Sequence, residues 1–341
     1  MFVRNAWYIA IWADELLDAP LARRICGEPV VLYRDAQRNA AALADRCCHR
    51  GTPLHLGRVT ALGLECGYHG LVFARDGACV HIPGQLRVQP NARVRSYPVV
   101  ERNGFVWIWM GDPQAASHAL LVEYPYHDDP MRWPHKHSTS HIAASYLLVI
   151  DNLMDLTHLG YVHGGTIGGD PNAHVDAKME THPTARGLKF TRWLLDSEPP
   201  PTYRKAVPFR GAVDRWQEFE FIAPGSVVQW SGATDAGTGA YEGKREGGLS
   251  VRLFHGVTPE TETTCFYFWS AANGYRQNEP EATQQLNVEI SRAFGQDKAV
   301  IEAQQARLAE LGDEDLVNIP ADTARIRMRQ AVEKLLAAEQ G

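Results

Sequence analysis

Two short stretches of the chain put thiols and imidazoles side by side. The first reads Cys47-Cys48-His49-Arg50-Gly51 and the second Cys66-Gly67-Tyr68-His69-Gly70, with sixteen residues between His49 and Cys66. Two thiolates and two imidazoles can hold a single tetrahedral zinc ion. They can equally hold a two-iron, two-sulfide cluster in which the cysteines bind one iron and the histidines the other. Zinc sites usually group Cys with Cys and His with His. Here each half is mixed, and the first half has one intervening residue, which favours the cluster. Neutral imidazoles would lower the cluster's negative charge and raise its reduction potential above that of a four-cysteine cluster. Gly51, Gly67 and Gly70 would let backbone N–H groups approach the sulfides. Cys48, next to a ligand, is expected to be a small buried residue. Cys26, Cys79 and Cys265 are isolated, and His55 and His81 read as ordinary packed or polar histidines.

A second stretch reads Asp151-Asn152-Leu-Met-Asp155-Leu-Thr-His158-Leu-Gly-Tyr-Val-His163. Residues 145–158 have apolar positions at helical spacing, so Asp155 and His158, three apart, are expected to share a helix face. His163 lies five beyond His158, and Gly160 would end or distort the helix so that both imidazoles converge. Two histidines close in sequence plus a distant carboxylate make the facial triad of a mononuclear non-haem Fe(II) site, with positions left open for dioxygen and substrate. The spacing alone is a weak signal. A redox cluster in the same chain strengthens it, because an oxygen-activating iron needs an electron source.

These residues must be carried by two different kinds of structure. Residues 1–110 hold short apolar or alternating runs at 29–33, 40–44, 71–73 and 105–109, separated by turns such as Asp76-Gly77 and Asn103-Gly104. That pattern predicts a small antiparallel β-domain. Residues 111–137 are irregular, and a boundary there gives domains 1–115 and 116–341. After the helix over 145–158, residues 160–186 read as loop. Strand-like runs return from Leu188 to about Ser270, including 219–222, 226–230 and 264–269. Pro280 to Leu311 and Ala321 to Glu339 read as helices, with Pro280 in a first turn and an interruption at Gly295. The fold class is α+β.

The 341 residues carry 34 basic and 40 acidic side chains, a formal charge of -6. That leaves no basic excess to neutralise phosphates and argues against nucleic-acid binding. Apolar residues at 45% and charged residues at 22% describe an ordinary globular chain. No apolar run approaches the ~20 residues that a membrane helix needs. The N-terminus has no basic stretch followed by an apolar one, so no leader is expected and a reducing cytoplasmic setting is. There is no G-x-G-x-x-G after a strand, and Gly164-Gly165-Thr-Ile-Gly168-Gly169 has the wrong spacing. The chain is therefore not expected to bind its own nicotinamide or flavin dinucleotide.

C-x-H…C-x-x-H followed by N-x-x-D-x-x-H-x4-H resembles the Rieske non-haem iron oxygenases. The resemblance is closest to the oxygenase components of vanillate and dicamba O-demethylases. It is carried by Asn5-Ala-Trp-Tyr8, Cys66-Gly-Tyr-His-Gly-Leu-Val72, Asp151 to His158, Tyr161-Val-His163, Val213-Asp-Arg-Trp216 and Thr258-Pro-Glu-Thr-Glu262. One departure is Leu159-Gly160, where the vanillate enzymes carry a Glu-Thr pair. The resemblance implies an N-terminal Rieske [2Fe-2S] domain, with Cys47, His49, Cys66 and His69 on the cluster. It implies a C-terminal catalytic domain of helix-grip type, whose curved antiparallel sheet and helices cover a mononuclear Fe(II). A homotrimer is also implied, in which electrons cross from the cluster of one subunit to the iron of the next. Asp155 would then bridge His69 of one subunit and His158 of its neighbour, and Asn152 would lie close to the iron.

The family's third iron ligand is a carboxylate near the start of a C-terminal helix, and Asp297, in Phe294-Gly-Gln-Asp297, occupies that position. By residue type alone an N-cap aspartate after Gly295 fits as well, and Glu289 and Glu302 are rivals. The implied partners are a separate NADH-dependent reductase of flavin or ferredoxin type, dioxygen and a small aromatic substrate. For a vanillate-like methoxybenzoate, hydroxylation of the methyl group gives a hemiacetal that collapses to a phenol and formaldehyde. Ring hydroxylation and oxidation of a methyl or N-methyl group are alternatives on the same fold. A pure electron carrier is disfavoured by the roughly 230 residues that follow the cluster domain. Candidate pocket residues are Trp230, Tyr267 and Trp269, the last two on one strand face, and His255, which the resemblance places on a substrate carboxylate. The aromatics fit the sheet core as well.

Overall fold

Short apolar runs between Gly and Asp turns fold the first third of the chain into three small antiparallel sheets. The computed structural model describes residues 1–175, 177–313 and 316–340. They form two compact units, one of residues 1–121 with 258–262 and one of 122–257 with 263–341. In the first unit, β1 (Trp7–Trp12), β11 (Phe105–Trp109) and β10 (Val99–Arg102) make a three-stranded sheet. A second sheet orders β2 (Leu21–Ile25), β3 (Glu28–Arg34), β4 (Ala40–Ala44) and β9 (Ser96–Tyr97). The third orders β5 (Arg58–Thr60), β6 (Gly63–Glu65), β7 (Val72–Phe73) and β8 (Cys79–His81). Val31, Tyr33, Leu43, Leu54, Leu64 and Phe73 fill the core beside the last two sheets, and Cys47 and Cys66 belong to it.

The second unit is built on one seven-stranded antiparallel sheet. Its strands are β12 (His135–Ile142), β13 (Lys178–Thr184), β14 (Gly187–Ser197), β15 (Val213–Ile222), β16 (Ser226–Asp235), β17 (Leu249–Thr261) and β18 (Thr264–Asn273). They are ordered β12-β18-β17-β16-β15-β14-β13. The last residues of β17, from Thr258, belong to the first unit, where Thr258 Oγ1 donates to Ile9 O and Cys26 N–H to Pro259 O. Among the described residues the α-helices are α1 (Tyr146–Leu153), α2 (Leu159–Val162), α3 (Pro201–Ala206), α4 (Pro280–Leu311) and α5 (Thr323–Ala338). Helix α4 packs on β12 and β18, and α5 on β14. Strand periodicity sorts the side chains. Gln217 and Phe219, Gln229 and Ser231, and Leu253 and His255 face the helices. Trp216, Trp230 and Arg252 face the other way, where Arg245 stacks on both tryptophans and Arg252 on Trp230.

Four sequence expectations change. Helix α1 stops at Leu153 rather than running to His158. The cause is Asp155, whose Oδ1 accepts Thr157 N–H at 2.8 Å and Thr157 Oγ1–H at 2.6 Å, a local turn that competes with the helix. Helix α4 runs unbroken through Gly295 over 32 residues. One glycine costs only ~1 kcal/mol in a helix, and Ile290, Ala293, Asp297 and Ile301 on its buried face hold α4 in place. Asp297 therefore lies mid-helix and caps nothing. Residues 178–184 form a strand rather than loop, and residues 135–142, the first three of them inside the segment read as irregular, form another. Among the described residues no helix is long and apolar enough to cross a membrane.

Candidate metal centres

The two Cys-His loops of the first unit are built alike. In the first, Cys47 N–H donates to Thr52 O at 2.8 Å and Gly51 N–H to Cys47 O at 2.9 Å. In the second, Cys66 N–H donates to Leu71 O at 2.8 Å and Gly70 N–H to Cys66 O at 3.0 Å. Each turn closes on a glycine with left-handed backbone, Gly51 at φ +73° and Gly70 at φ +71°. The pairing turns both cysteines inward and both histidines outward. Cys47 and Cys66 are each 2% exposed and lie in hydrogen-bonding contact, whereas the exposed His49 and His69 rings stand 4.6 Å apart, edge to face. Burial pushes the Cys47 thiol up to about 11, so a positive centre is needed to keep it as thiolate. Thiols inside and imidazoles outside is the division that a two-iron cluster with unlike ligands requires.

Cys48 is exposed, not buried. The turn that buries Cys47 forces its neighbour outward. Cys26, Cys79 and Cys265 are buried. His55 N–H and Nδ1 both contact the Asp45 carboxylate, at 2.8 and 2.5 Å, and brace the first loop; His81 is exposed.

In the second unit three donors converge. His163 Nε2 lies 2.9 Å and His158 Nε2 3.4 Å from Asp297 Oδ1, and the ligand atoms of the three residues fall within 4.8 Å of one another. Each ring has its other nitrogen committed. His158 Nδ1–H donates to the main-chain oxygen of Asp155, and His163 Nδ1–H to Gln296 Oε1 at 2.9 Å. With Nδ1 committed, each ring presents Nε2 to the Asp297 oxygen, where as N–H it donates to the carboxylate and without its proton it is free to take a metal. Once both Nε2 protons are gone, the three electron-pair donors repel unless a cation sits among them. Spacings near 3 Å match the edge of an octahedron with bonds of ~2.1 Å. Burial raises the Asp297 carboxyl, but the hydrogen bonds of His158 and His163 outweigh it and hold it down to about 2. Burial also lowers His163, and Asp297 more than reverses that. Two imidazoles and one carboxylate, with one face of the site open to a cavity, fit a ferrous ion.

Asn152 joins this group, its Nδ2 donating to Asp297 Oδ1 at 3.2 Å. The Asp155 carboxylate does not reach the His158 ring. It turns back onto Thr157, and the main-chain oxygen of Asp155 takes its place. The rival acids are engaged elsewhere: Glu302 accepts Ala143 N–H at 2.8 Å, and Glu289 pairs with Lys205 at 2.7 Å.

A cavity opens beside the triad. Leu153, Leu156, Leu159, Leu286, Ile290 and Phe294 make its walls largely apolar. Its polar side is a relay on the sheet. Tyr267 O–H donates to His255 Nδ1 at 2.7 Å, His255 Nε2–H to Gln229 Oε1 at 2.8 Å, and Gln229 Nε2 to Ser231 Oγ at 2.7 Å. His255 is fully buried, and burial pushes it down to about 3, so it stays neutral. Ser231 pairs across the sheet with Gln217, whose buried Oε1 has no partner although it lines the cavity. Sequence reasoning missed Gln217. The period-2 pattern that places Phe219 inward also places it there. Tyr267 and Trp269 do share a face, packed on Phe294. Trp230 is on the opposite face, held between Arg245 and Arg252, because its neighbours Gln229 and Ser231 point into the cavity.

Residues 6–98 match the Rieske [2Fe-2S] domain family, and residues 142–338 match the vanillate O-demethylase oxygenase C-terminal domain family. The chain belongs to the Rieske non-haem iron oxygenases, in the group defined by that C-terminal domain. It is 40% identical to the toluene-4-sulfonate monooxygenase system iron-sulfur subunit of Comamonas testosteroni, over 100% of this chain and 99% of that one. A vanillate O-demethylase oxygenase subunit from a Pseudomonas species is 38% identical over 100% and 96%. The fold matches dicamba monooxygenase bound to 3,6-dichlorosalicylic acid with a TM-score of 0.93 at 32% identity, covering 100% of this chain and 99% of that one. A further dicamba monooxygenase structure, TM-score 0.81 at 30% identity over 99% and 98%, carries non-haem iron and dicamba. The chain is thus an oxygenase component whose cofactors are a Rieske cluster and a mononuclear iron, and such components work in multicomponent systems.

The buried histidines set an acid limit on this unit. His255 is held at about 3 and His174 at about 4, against ~6.5 in an unfolded chain. Between those values the unfolded chain binds more protons, so stability falls as pH falls below ~6.5, by up to ~1.4 kcal/mol per pH unit for each histidine. Urea midpoints measured from pH 7 to 4.5 should fall in this way. His255→Gln should flatten the slope by one proton; an unchanged slope would contradict the burial argument.

Proposed function

We propose that this chain is the oxygenase component of a monooxygenase that O-demethylates a small aromatic acid of the methoxybenzoate type. The supporting observation is the apolar cavity between the His158–His163–Asp297 triad at one end and the polar strip Gln217–Ser231–Gln229–His255 at the other. Residues 1–115 serve as the cluster domain, with Cys47, His49, Cys66 and His69 as ligands, and residues 116–341 as the catalytic domain. When bound, the cluster supplies electrons one at a time and the ferrous ion supplies the site of dioxygen activation. The overall change balances as methyl ether, dioxygen, two electrons and two protons going to phenol, formaldehyde and water. A separate NADH-dependent reductase supplies the electrons.

The chain's own residues bind, orient and exclude water. Leucines and Phe294 hold the ring and keep bulk water from the reacting methyl group. Gln217 offers an amide with an unused acceptor, and His255, itself satisfied by Tyr267, fixes Gln229 and so Ser231. Gln217 Oε1 can accept from a substrate hydroxyl, and the Ser231 hydroxyl and the Gln217 amide N–H groups can donate to an anionic substituent. Leu159 lines the wall where vanillate enzymes carry glutamate, so no acid opposes an anionic ring there. Asn152 holds the Asp297 carboxylate in place. Asp155, whose main-chain oxygen orients His158 and whose Oδ1 is held by Thr157, offers its other carboxylate oxygen to His69 of a second copy in a homotrimer. A second reading, hydroxylation of a ring methyl group, is favoured by the 40% identity to the toluene-4-sulfonate system subunit.

Turnover of a panel of methoxybenzoates and methylbenzenesulfonates, with NADH and a reductase, separates the readings. One formaldehyde per substrate consumed supports O-demethylation. Oxidised product without formaldehyde, from the sulfonates alone, overturns it. Asp155→Asn should keep the cluster absorbance and the mononuclear iron yet lose most turnover; full activity in that variant would refute the bridging role.

A further inference from the structure

Two arginines lie inside the catalytic unit without a carboxylate partner. Arg192 on β14 is 2% exposed and Arg215 on β15 is 1% exposed. Their hydrogen bonds go mainly to main-chain oxygens and to His174, and Arg215 also contacts the Tyr203 hydroxyl. Arg192 donates to Leu156 O at 2.6 Å, to His174 Nδ1 at 3.0 Å and to His174 O at 2.8 Å. Arg215 donates to Gly168 O at 3.0 Å and Ile167 O at 3.1 Å, with its guanidinium stacked on Tyr203. His174 closes the chain of contacts. Because Nδ1 accepts from Arg192, the ring proton sits on Nε2, which donates to Gly168 O at 3.1 Å. Neither guanidinium is in contact with a carboxylate, although Asp155 acts on Arg192 at longer range, and burying two cations this way is costly, so what they hold must repay their desolvation.

What they hold is the segment that carries the iron-binding histidines. Leu156 lies two residues before His158, and Ile167 and Gly168 lie four and five after His163. Inside that frame Thr166 N–H and Gly168 N–H donate to His163 O at 2.8 and 3.0 Å. A Cβ added at Gly160, between the two ligands, would fall 2.6 Å from Pro171 Cα and 3.1 Å from His174 Cδ2, so the segment lies directly on His174. Most of this segment is not helical, and its carbonyls need donors from elsewhere. A guanidinium has a rigid fork of N–H groups that can grip two chain positions at once, which lysine cannot do.

We propose that Arg192, His174 and Arg215 form a buried clamp of positioning residues that fixes the His158–His163 segment in its metal-binding geometry. The clamp acts on the iron through the backbone and does not touch substrate. It rests on the assignment of His158, His163 and Asp297 as the ligands.

The test uses the full-length protein with cluster and ferrous iron loaded. Arg215→Lys keeps the charge but can reach one carbonyl only, and His174→Gln breaks the link between the two arginines. Loss of mononuclear iron to a chelator is followed, with cluster absorbance as the internal reference. Each variant should lose iron about 10-fold faster or more. Cluster absorbance should be unchanged, KM for the aromatic substrate near the parent value, and kcat restored by added Fe(II). Parental iron retention in the folded variants would overturn the clamp, as would lost activity that added iron does not restore. If Arg215→Lys does not fold, His174→Gln decides the question alone. Asp297→Ala, run in parallel, separates the two assignments: if it too retains iron, the ligand set is at fault.

Discussion

The catalytic unit is organised around a repulsion. Two imidazole Nε2 atoms stand 3.4 and 2.9 Å from one carboxylate oxygen, and once those nitrogens lose their protons to act as ligands the three donors repel unless a cation or a strong scaffold holds them. The scaffold is visible on every side. Helix α4 brings Asp297 from more than 130 residues away in sequence and keeps it on a buried face between Ile290 and Ile301. Main-chain and amide oxygens take up the Nδ1 protons, so that only Nε2 is presented. The seven-stranded sheet backs the site with a relay of neutral polar groups and, further along, with two arginines that donate to carbonyls. Without the need to hold three donors together, the unpaired buried charges and the polar strip would have no reason to be buried.

The cluster unit solves a different problem with the same economy of parts. Two loops of one design, each closed by a glycine in the left-handed region, separate thiols from imidazoles across the protein surface. The thiols join an apolar core, where burial raises the Cys47 thiol and makes its charge dependent on a metal. The imidazoles stay outside, where their edge faces solvent or another molecule. A cluster with unlike ends, one buried and one accessible, suits a protein that must receive and pass on electrons.

Much of this was legible because the chemistry sits in short motifs. Cys47, His49, Cys66 and His69 fall within 23 residues, and His158 and His163 within six. Asp297 had no local signature; family resemblance supplied it, and only the long-range contact with His163 distinguishes it from Glu289 and Glu302. The strands that periodicity missed, β12 and β13, are the two edges of the seven-stranded sheet. Their lysines, histidines and Pro183 are what an exposed edge needs to avoid pairing with other chains, and they erase the alternation that marks a strand. The helix expected over 145–158 forms over Tyr146–Leu153 and ends early for the opposite reason. Its apolar spacing was right, but a single Asp155 turn outweighed it. Trp230 was misplaced because aromatic character was weighed without the alternation that turns Gln229 and Ser231 inward. Gln217 carried no motif, and its role depends on an unpaired atom that only three dimensions reveal.

The most direct test of the central claim is the metal and sulfide content of anaerobically purified protein, measured beside an Asp297→Asn variant. The account predicts about three irons and two acid-labile sulfides per parent chain, and about two irons with two sulfides in the variant. Three irons retained in the variant would contradict the triad, and zinc without sulfide in the parent would contradict the cluster as well.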